Sequence, residues 1–123
     1  MSQQDQDLSG FSMMDLFRTE VEMQAVLLNE GLLALEGDFE AKEQLESLMR
    51  AAHSAKGAAR IVGLDSVVRI AHAMEDCFVA AQKGEIYFRA ENIDILLKGV
   101  DWLVRVSRVA EADLHEWFLG HQA

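Results

Sequence analysis

Apolar residues recur at spacings of three and four along most of the chain, which is the pattern of amphipathic helices. Gly37, Gly63 and Gly84 interrupt this pattern, and glycine readily adopts the left-handed conformation that ends many helices. The predicted helices cover residues 12–36, 39–62, 65–83 and 90–108, with a short fifth helix over 111–119. Because the connections are short, neighbouring helices should be antiparallel. We therefore predict an all-α, up-down-up-down four-helix bundle with a short C-terminal helix.

Each predicted helix has an apolar stripe that we assign to the core. The assigned residues are Leu16, Met23, Val26, Leu27 and Leu33 in the first helix, Leu45, Leu48, Met49, Ala52, Ala55 and Ala59 in the second, Val67, Ile70, Ala71, Met74, Phe78 and Ala81 in the third, and Ile93, Leu96, Leu97, Val100, Leu103 and Val104 in the fourth. The short helix offers Leu114, Trp117 and Phe118 as a cap on the bundle. Residues 1–10 are polar and lack this spacing, so they are predicted to form a flexible tail. Ser12 is the expected N-cap of the first helix, and the domain should cover residues 11–120.

The charge and cysteine content of the chain limit the kinds of molecule that it is expected to bind. A net charge of −10 repels phosphate backbones and anionic membrane surfaces, so we predict binding to neither nucleic acid nor membranes and expect protein partners. The single cysteine, Cys77, cannot form an internal disulfide, and no apolar run is long enough to span a bilayer. We therefore expect a cytoplasmic protein.

One face of the second predicted helix departs from simple core packing. His53, Lys56, Gly57 and Arg60 fall at i, i+3, i+4 and i+7, so a histidine, two cations and a glycine share this face. Glycine inside a helix costs about 1 kcal/mol relative to alanine. Its presence beside a histidine therefore suggests that a partner approaches the imidazole closely there.

The short turn at Gly63 makes the second and third helices an antiparallel hairpin, which should bring His72 and Glu75 to the height of His53. Taken singly, each of these residues would most often be an ordinary surface group. Together they resemble a reactive site. A Glu75 carboxylate beside the His53 ring would orient the imidazole as a nucleophile, and Lys56 could neutralise an incoming phosphoryl group.

These residues match a known motif. The pattern His-x-x-Lys-Gly followed by a second glycine, here His53, Lys56, Gly57 and Gly63, resembles the histidine-containing phosphotransfer (HPt) family over residues 12–108. The downstream His-x-x-Glu, here His72 and Glu75, is similar to the N-terminal HPt domain of CheA-type kinases. The stretches 51–63 and 71–77 look most like hybrid CheA-like kinases of the Wsp type. Where many relatives have a second consecutive glycine, this chain has Ala58.

The resemblance implies a role for each residue. His53 would accept a phosphoryl group, with Lys56, His72 and Glu75 as its polar network and with Gly57 and Arg60 where a partner docks. The donor would be a CheA-type kinase domain, in cis or in trans, or a phosphorylated receiver. The acceptor would be an aspartate of a response-regulator receiver domain. No cofactor or metal is implied.

Three other functions are alternatives to phosphotransfer. A carboxylate-bridged metal site would need further inward-facing glutamates and the opposite order of the His/Glu pair, and a nearby lysine disfavours it. A complete kinase would need an ATP-binding domain, yet the chain has no glycine-rich phosphate loop and no room for a second domain. A non-catalytic helical adaptor explains the acidic surface but leaves Gly57 unexplained. It stays open as the alternative.

Overall fold

The computed structural model describes residues 3–120, and the side chains of residues 13–108 within them. Four helices follow one another: α1 (Gln3–Leu35), α2 (Lys42–Ile61), α3 (Asp65–Gln82) and α4 (Ala90–Gly120). Each helix packs against its neighbours around one core, in the order α1, α2, α3, α4 and back to α1. The predicted all-α four-helix bundle is confirmed. Within the described residues, none of the helices has the length and hydropathy needed to span a membrane.

Both ends of the chain are more helical than predicted. Helix α1 begins at Gln3, so the predicted start of this helix with an N-cap at Ser12 was wrong. Helix α4 continues without a break through the segment predicted as a separate fifth helix. Neither added segment contains proline, and extending an existing helix gains a hydrogen bond for each residue fixed. The predicted cap residues Leu114, Trp117 and Phe118 lie outside the described side chains.

Two of the three predicted glycine stops are confirmed. Gly63 and Gly84 both have φ of +73° and end α2 and α3 in the left-handed conformation. Gly37 was expected to do the same, but it is not among the positive-φ residues of the described chain. Instead, the N–H groups at positions 36, 37 and 38 donate to carbonyls three residues earlier, so α1 ends by tightening its last turn.

The core of α2, α3 and α4 follows the predicted stripes, but that of α1 does not. The buried residues of α1 are Phe17, Val21, Ala25, Leu28, Leu32 and Leu35. All five residues predicted to be buried, Leu16, Met23, Val26, Leu27 and Leu33, are at least half exposed. Helix α1 carries two apolar stripes, and periodicity within one helix cannot show which of them meets the other helices.

The stripe that α1 buries allows a close approach to α2. A Cβ atom added at Gly31 would stand 2.7 Å from Leu48 Cδ2 and 2.8 Å from Gln44 Nε2. A side chain at this position would force Leu48 and Gln44 to move, so the glycine lets the two helices pack at this distance. The tight α1–α2 contact and the short α2–α3 turn together fix the orientation of α2, on which the candidate site stands.

Candidate functional site

His53 lies on α2 with its ring in contact with a carboxylate from α3. Its side chain is 66% exposed, and its Nδ1 is 2.5 Å from Glu75 Oε2. The residues on either side of the ring along α2, Ala52 and Ala55, are buried, which anchors this part of the helix in the core. The contact holds one edge of the imidazole, while Nε2, on the opposite edge, has no partner among the described residues.

Lys56 is directed at the same carboxylate and away from solvent. Its Nζ donates to Glu75 Oε1 at 2.6 Å, and its side chain is only 9% exposed. From the sequence, Lys56 was expected to lie beside His53 and neutralise an incoming phosphoryl group; in the structure its ammonium is directed at Glu75. The long aliphatic stem of Lys56 packs between α2 and α3, and only the paired ammonium makes such burial tolerable.

Glu75 therefore accepts from two groups at once, one with each oxygen. Burial raises the pKa of this carboxyl, but hydrogen bonds from Lys56 and His53 and the positive charge of both lower it by more, so the net pKa is below its ordinary value. Glu75 is thus a carboxylate at neutral pH. A carboxylate at this position favours the His53 tautomer with its proton on Nδ1, which leaves the lone pair on Nε2.

His72 was predicted to belong to this network, and the structure places it next to the site instead. Its Nε2 lies 3.5 Å from Asp76 Oδ1, one helical turn further along α3, and both side chains are half exposed or more. No described contact joins His72 to His53. The α2–α3 hairpin brings the predicted faces of these two helices together. On the α3 face Glu75 contacts His53, whereas His72 lies beside this contact and faces solvent.

Gly57 and Arg60 lie on the side of His53 that faces solvent. A Cβ atom added at Gly57 would meet nothing within 4 Å, so the glycine is not needed for packing inside the bundle. Arg60 is exposed. The open space at Gly57 is consistent with the predicted approach of a partner to the ring.

One cluster of potential metal ligands adjoins the site. His72, Glu75 and Asp76 each offer a ligand atom, and these atoms lie within 4.8 Å of one another. However, both Glu75 oxygens already accept hydrogen bonds, one of them from the buried ammonium of Lys56. A cation here would compete with that ammonium for the carboxylate. The arrangement favours an organised imidazole over a metal centre.

Sequence reasoning missed an apolar groove between α1 and α2, beyond Gly57. Its lining includes Met13, Leu16, Ala58 and Ile61, and the Ile61 side chain is 73% exposed. Assigning Leu16 to the core concealed this groove. Its only signal in the sequence was the surplus of apolar residues on α1, which exceeds what one buried stripe requires.

The profile of the Hpt domain family matches residues 12–112. The chain belongs to the Hpt domain family. The family resemblance inferred from the motif around His53 is therefore confirmed, and so is the class of function, histidine phosphotransfer, that the resemblance implied.

The curated proteins that resemble this chain include several chemotaxis proteins named CheA. Chemotaxis protein CheA of Halobacterium salinarum is 30% identical over 72% of this chain, and that of Borreliella burgdorferi is 26% identical over 77%. The matched region makes up only 13% and 11% of those two proteins. The Wsp-type assignment is finer than these similarities and stays a prediction.

Two solved structures share the fold. The CheA phosphotransferase domain from Thermotoga maritima superposes with a TM-score of 0.75 at 29% identity, covering 79% of this chain and 92% of that domain. The phosphorylated P1 domain of CheA3 from R. sphaeroides, solved in complex with CheY6, also gives a TM-score of 0.75, at 26% identity, covering 83% of this chain and 80% of that one.

Proposed function

We propose that His53 accepts a phosphoryl group on Nε2 and passes it to an aspartate of a receiver domain. The observation that carries this proposal is the state of the His53 ring. The ring is largely exposed, while its Nδ1 contacts a buried carboxylate that is itself held by a buried lysine. An oriented imidazole with a free outer lone pair is what nucleophilic catalysis requires.

The chemistry balances without a cofactor. The Nε2 lone pair forms the new N–P bond as the bond from phosphorus to the donor's oxygen breaks, and the donor leaves with that electron pair. The Nδ1 proton stays on the ring, and the Glu75 carboxylate stabilises the positive charge that develops there. In the second step the receiver's aspartate attacks phosphorus, and the N–P bond electrons return to Nε2.

Lys56 acts in this scheme through Glu75. Because its ammonium is buried against Oε1, Lys56 keeps the carboxylate ionised and positioned instead of contacting the phosphoryl group itself. His72, which is exposed beside the network, is kept as a predicted site residue with a lesser role. Gly57 and Arg60 form the face on which the receiver docks, since nothing of the bundle fills the space at Gly57.

The relatives support a choice of partners. The similar R. sphaeroides domain was solved, phosphorylated, with CheY6, and the curated relatives are CheA kinases. We therefore propose a receiver domain as acceptor and a CheA-type kinase domain, or a phosphorylated receiver, as donor. We further propose that the domain covers residues 11–120 and works in the cytoplasm, which a net charge of −10 and a single cysteine support.

A relay assay tests the proposal. The chain is incubated with labelled Mg-ATP, first alone and then with the kinase domain of a CheA protein, before a receiver domain is added. Label should appear only with the kinase domain and should then move to the receiver. His53→Gln should abolish both steps, whereas His72→Gln, the matched change at an exposed histidine on the neighbouring helix, should at most slow them, in keeping with its lesser role. Transfer by the His53→Gln variant would refute the assignment.

A further inference from the structure

Helix α1 has a second apolar stripe on its outer surface, which the bundle leaves uncovered. Its positions are Leu16, Thr19, Met23, Val26, Glu30 and Leu33, at alternating spacings of three and four, and we call them the outer seam. The apolar members Leu16, Met23, Val26 and Leu33 are 68%, 51%, 55% and 53% exposed. Scattered exposed apolar residues are ordinary, but these four share one helix face: Met23 and Val26 are adjacent at its centre, and Leu16 and Leu33 lie seven residues before and after them.

The spacing of the outer seam identifies the shape of the partner. A stripe at alternating three- and four-residue intervals is the seam along which one helix packs against another. The seam of α1 that faces the bundle, from Phe17 to Leu35, is already filled by the other helices. A second seam on the opposite side therefore fits an additional helix. Exposed apolar residues grouped on one face in this way are typical of protein-binding surfaces.

Charge decides between a second copy of this chain and a different protein. Residues 13–35 contain four carboxylates, Asp15, Glu20, Glu22 and Glu30. Arg18 lies 3.6 Å from Asp15 and Arg108 of α4 lies 3.6 Å from Glu22, so the acidic excess of this face rests on Glu20 and Glu30. Pairing two copies along the seam would bring these acidic groups together, and each chain already has a net charge of −10. A helix with basic residues beside its apolar stripe would be attracted instead.

We propose that the outer seam of α1 binds an amphipathic helix of another protein, one whose apolar stripe is flanked by lysine or arginine. This surface contains none of the residues assigned to phosphotransfer, so the proposal does not rest on the proposed function. The α4 side of the bundle also exposes apolar residues, among them Tyr87 and Ile95. The charges beside them, such as Asp94 and Lys98, are of both signs and favour no particular partner.

Two synthetic helices test the proposal against the full chain. One has leucine at heptad a and d positions with lysine at the flanking positions, and the other has glutamate in place of every lysine. Binding is measured by fluorescence anisotropy. The basic helix should bind at least about tenfold more tightly than the acidic one, and its affinity should fall as salt is added. The chain alone should be monomeric by light scattering.

Paired variants locate the binding surface. Met23→Ser combined with Val26→Ser should weaken binding of the basic helix by about tenfold or more, since central apolar contacts dominate such interfaces. Tyr87→Ser combined with Ile95→Ser, which removes apolar surface of similar exposure from the other side, should leave binding unchanged. Equal binding of the two helices, no binding of either, or no effect of the seam variant would overturn the proposal. A dimer that the seam variant dissociates would also overturn it.

Discussion

Replacing Lys56 by methionine distinguishes two roles for its ammonium group. If Lys56 positions Glu75, its removal leaves a carboxylate in an 11%-exposed site with one of its two partners missing. Breaking a buried ion pair by removing one partner typically costs about 3–5 kcal/mol. Here Glu75 keeps its contact with His53, so we expect a loss of about 2–3 kcal/mol in the free energy of unfolding.

A double-mutant cycle with Glu75→Gln supplies the magnitude of the coupling. Each single change leaves a buried polar group without its charged partner, while Lys56→Met combined with Glu75→Gln leaves no buried charge behind. The double variant should therefore lose about 1–3 kcal/mol less stability than the sum of the single variants. Urea unfolding followed by circular dichroism measures all four proteins.

The same cycle is then measured in reactivity. His53 is phosphorylated with phosphoramidate, a small donor that needs no docking surface. If Lys56 acts through Glu75, each single variant should slow phosphorylation by roughly tenfold or more, and the double variant should be no slower than the worse single one. Rate losses that multiply would show that Lys56 contacts the phosphoryl group directly. That result would refute the positioning role.

Further predictions concern the glycines and acid stability. Gly57→Leu should stabilise the bundle by up to about 1 kcal/mol, because an added side chain meets open space, while slowing transfer to a receiver domain by obstructing its approach. Gly31→Ala is the control, a change at a second glycine with the opposite expected effect on stability. Its added Cβ would collide with Leu48, so it should destabilise the bundle by about 1–3 kcal/mol. Thermal melts and transfer rates check both; a destabilised Gly57→Leu protein that transfers normally would contradict this placement of the docking face. Because the pKa of Glu75 is lowered in the folded protein, its stabilising contribution is complete above the unfolded pKa of about 4.3 and is lost as pH falls through the lower folded value. The stability difference between the natural chain and Glu75→Gln should therefore shrink between pH 7 and pH 3, and a constant difference in urea unfolding would contradict this.

Most of the bundle could be predicted because α2, α3 and α4 each have a single apolar stripe. Helix α1 has two of similar strength, so the choice between them depends on which fits α2, where Gly31 admits Leu48. Tertiary packing determines which stripe is buried, and the periodicity of α1 alone does not show it. The outer ends of α1 and α4 were predicted wrongly for a related reason. A polar segment without proline can extend a helix that packing has already stabilised.

The candidate site was predictable in its members but not in its geometry. The motif spacing identified His53, Lys56 and Glu75, and the short turn at Gly63 indicated that α2 and α3 would bring them together. Whether the Lys56 ammonium lay free beside His53 or against Glu75 depended on how α2 packs on α3, which the spacing along one helix does not show. The separation of His72 from His53 depended on the same detail.

The central claim is that His53 is the phosphorylated residue, and mapping the modification tests it most directly. The intact chain is phosphorylated with phosphoramidate, and its mass is measured by mass spectrometry. It is then digested under alkaline conditions that preserve phosphohistidine, and the peptides are sequenced by fragmentation. The account predicts one acid-labile phosphoryl group, located on His53, whose largely exposed ring presents Nε2 to the donor. A phosphoryl group on His72 or on any other residue, with His53 unmodified, would contradict it.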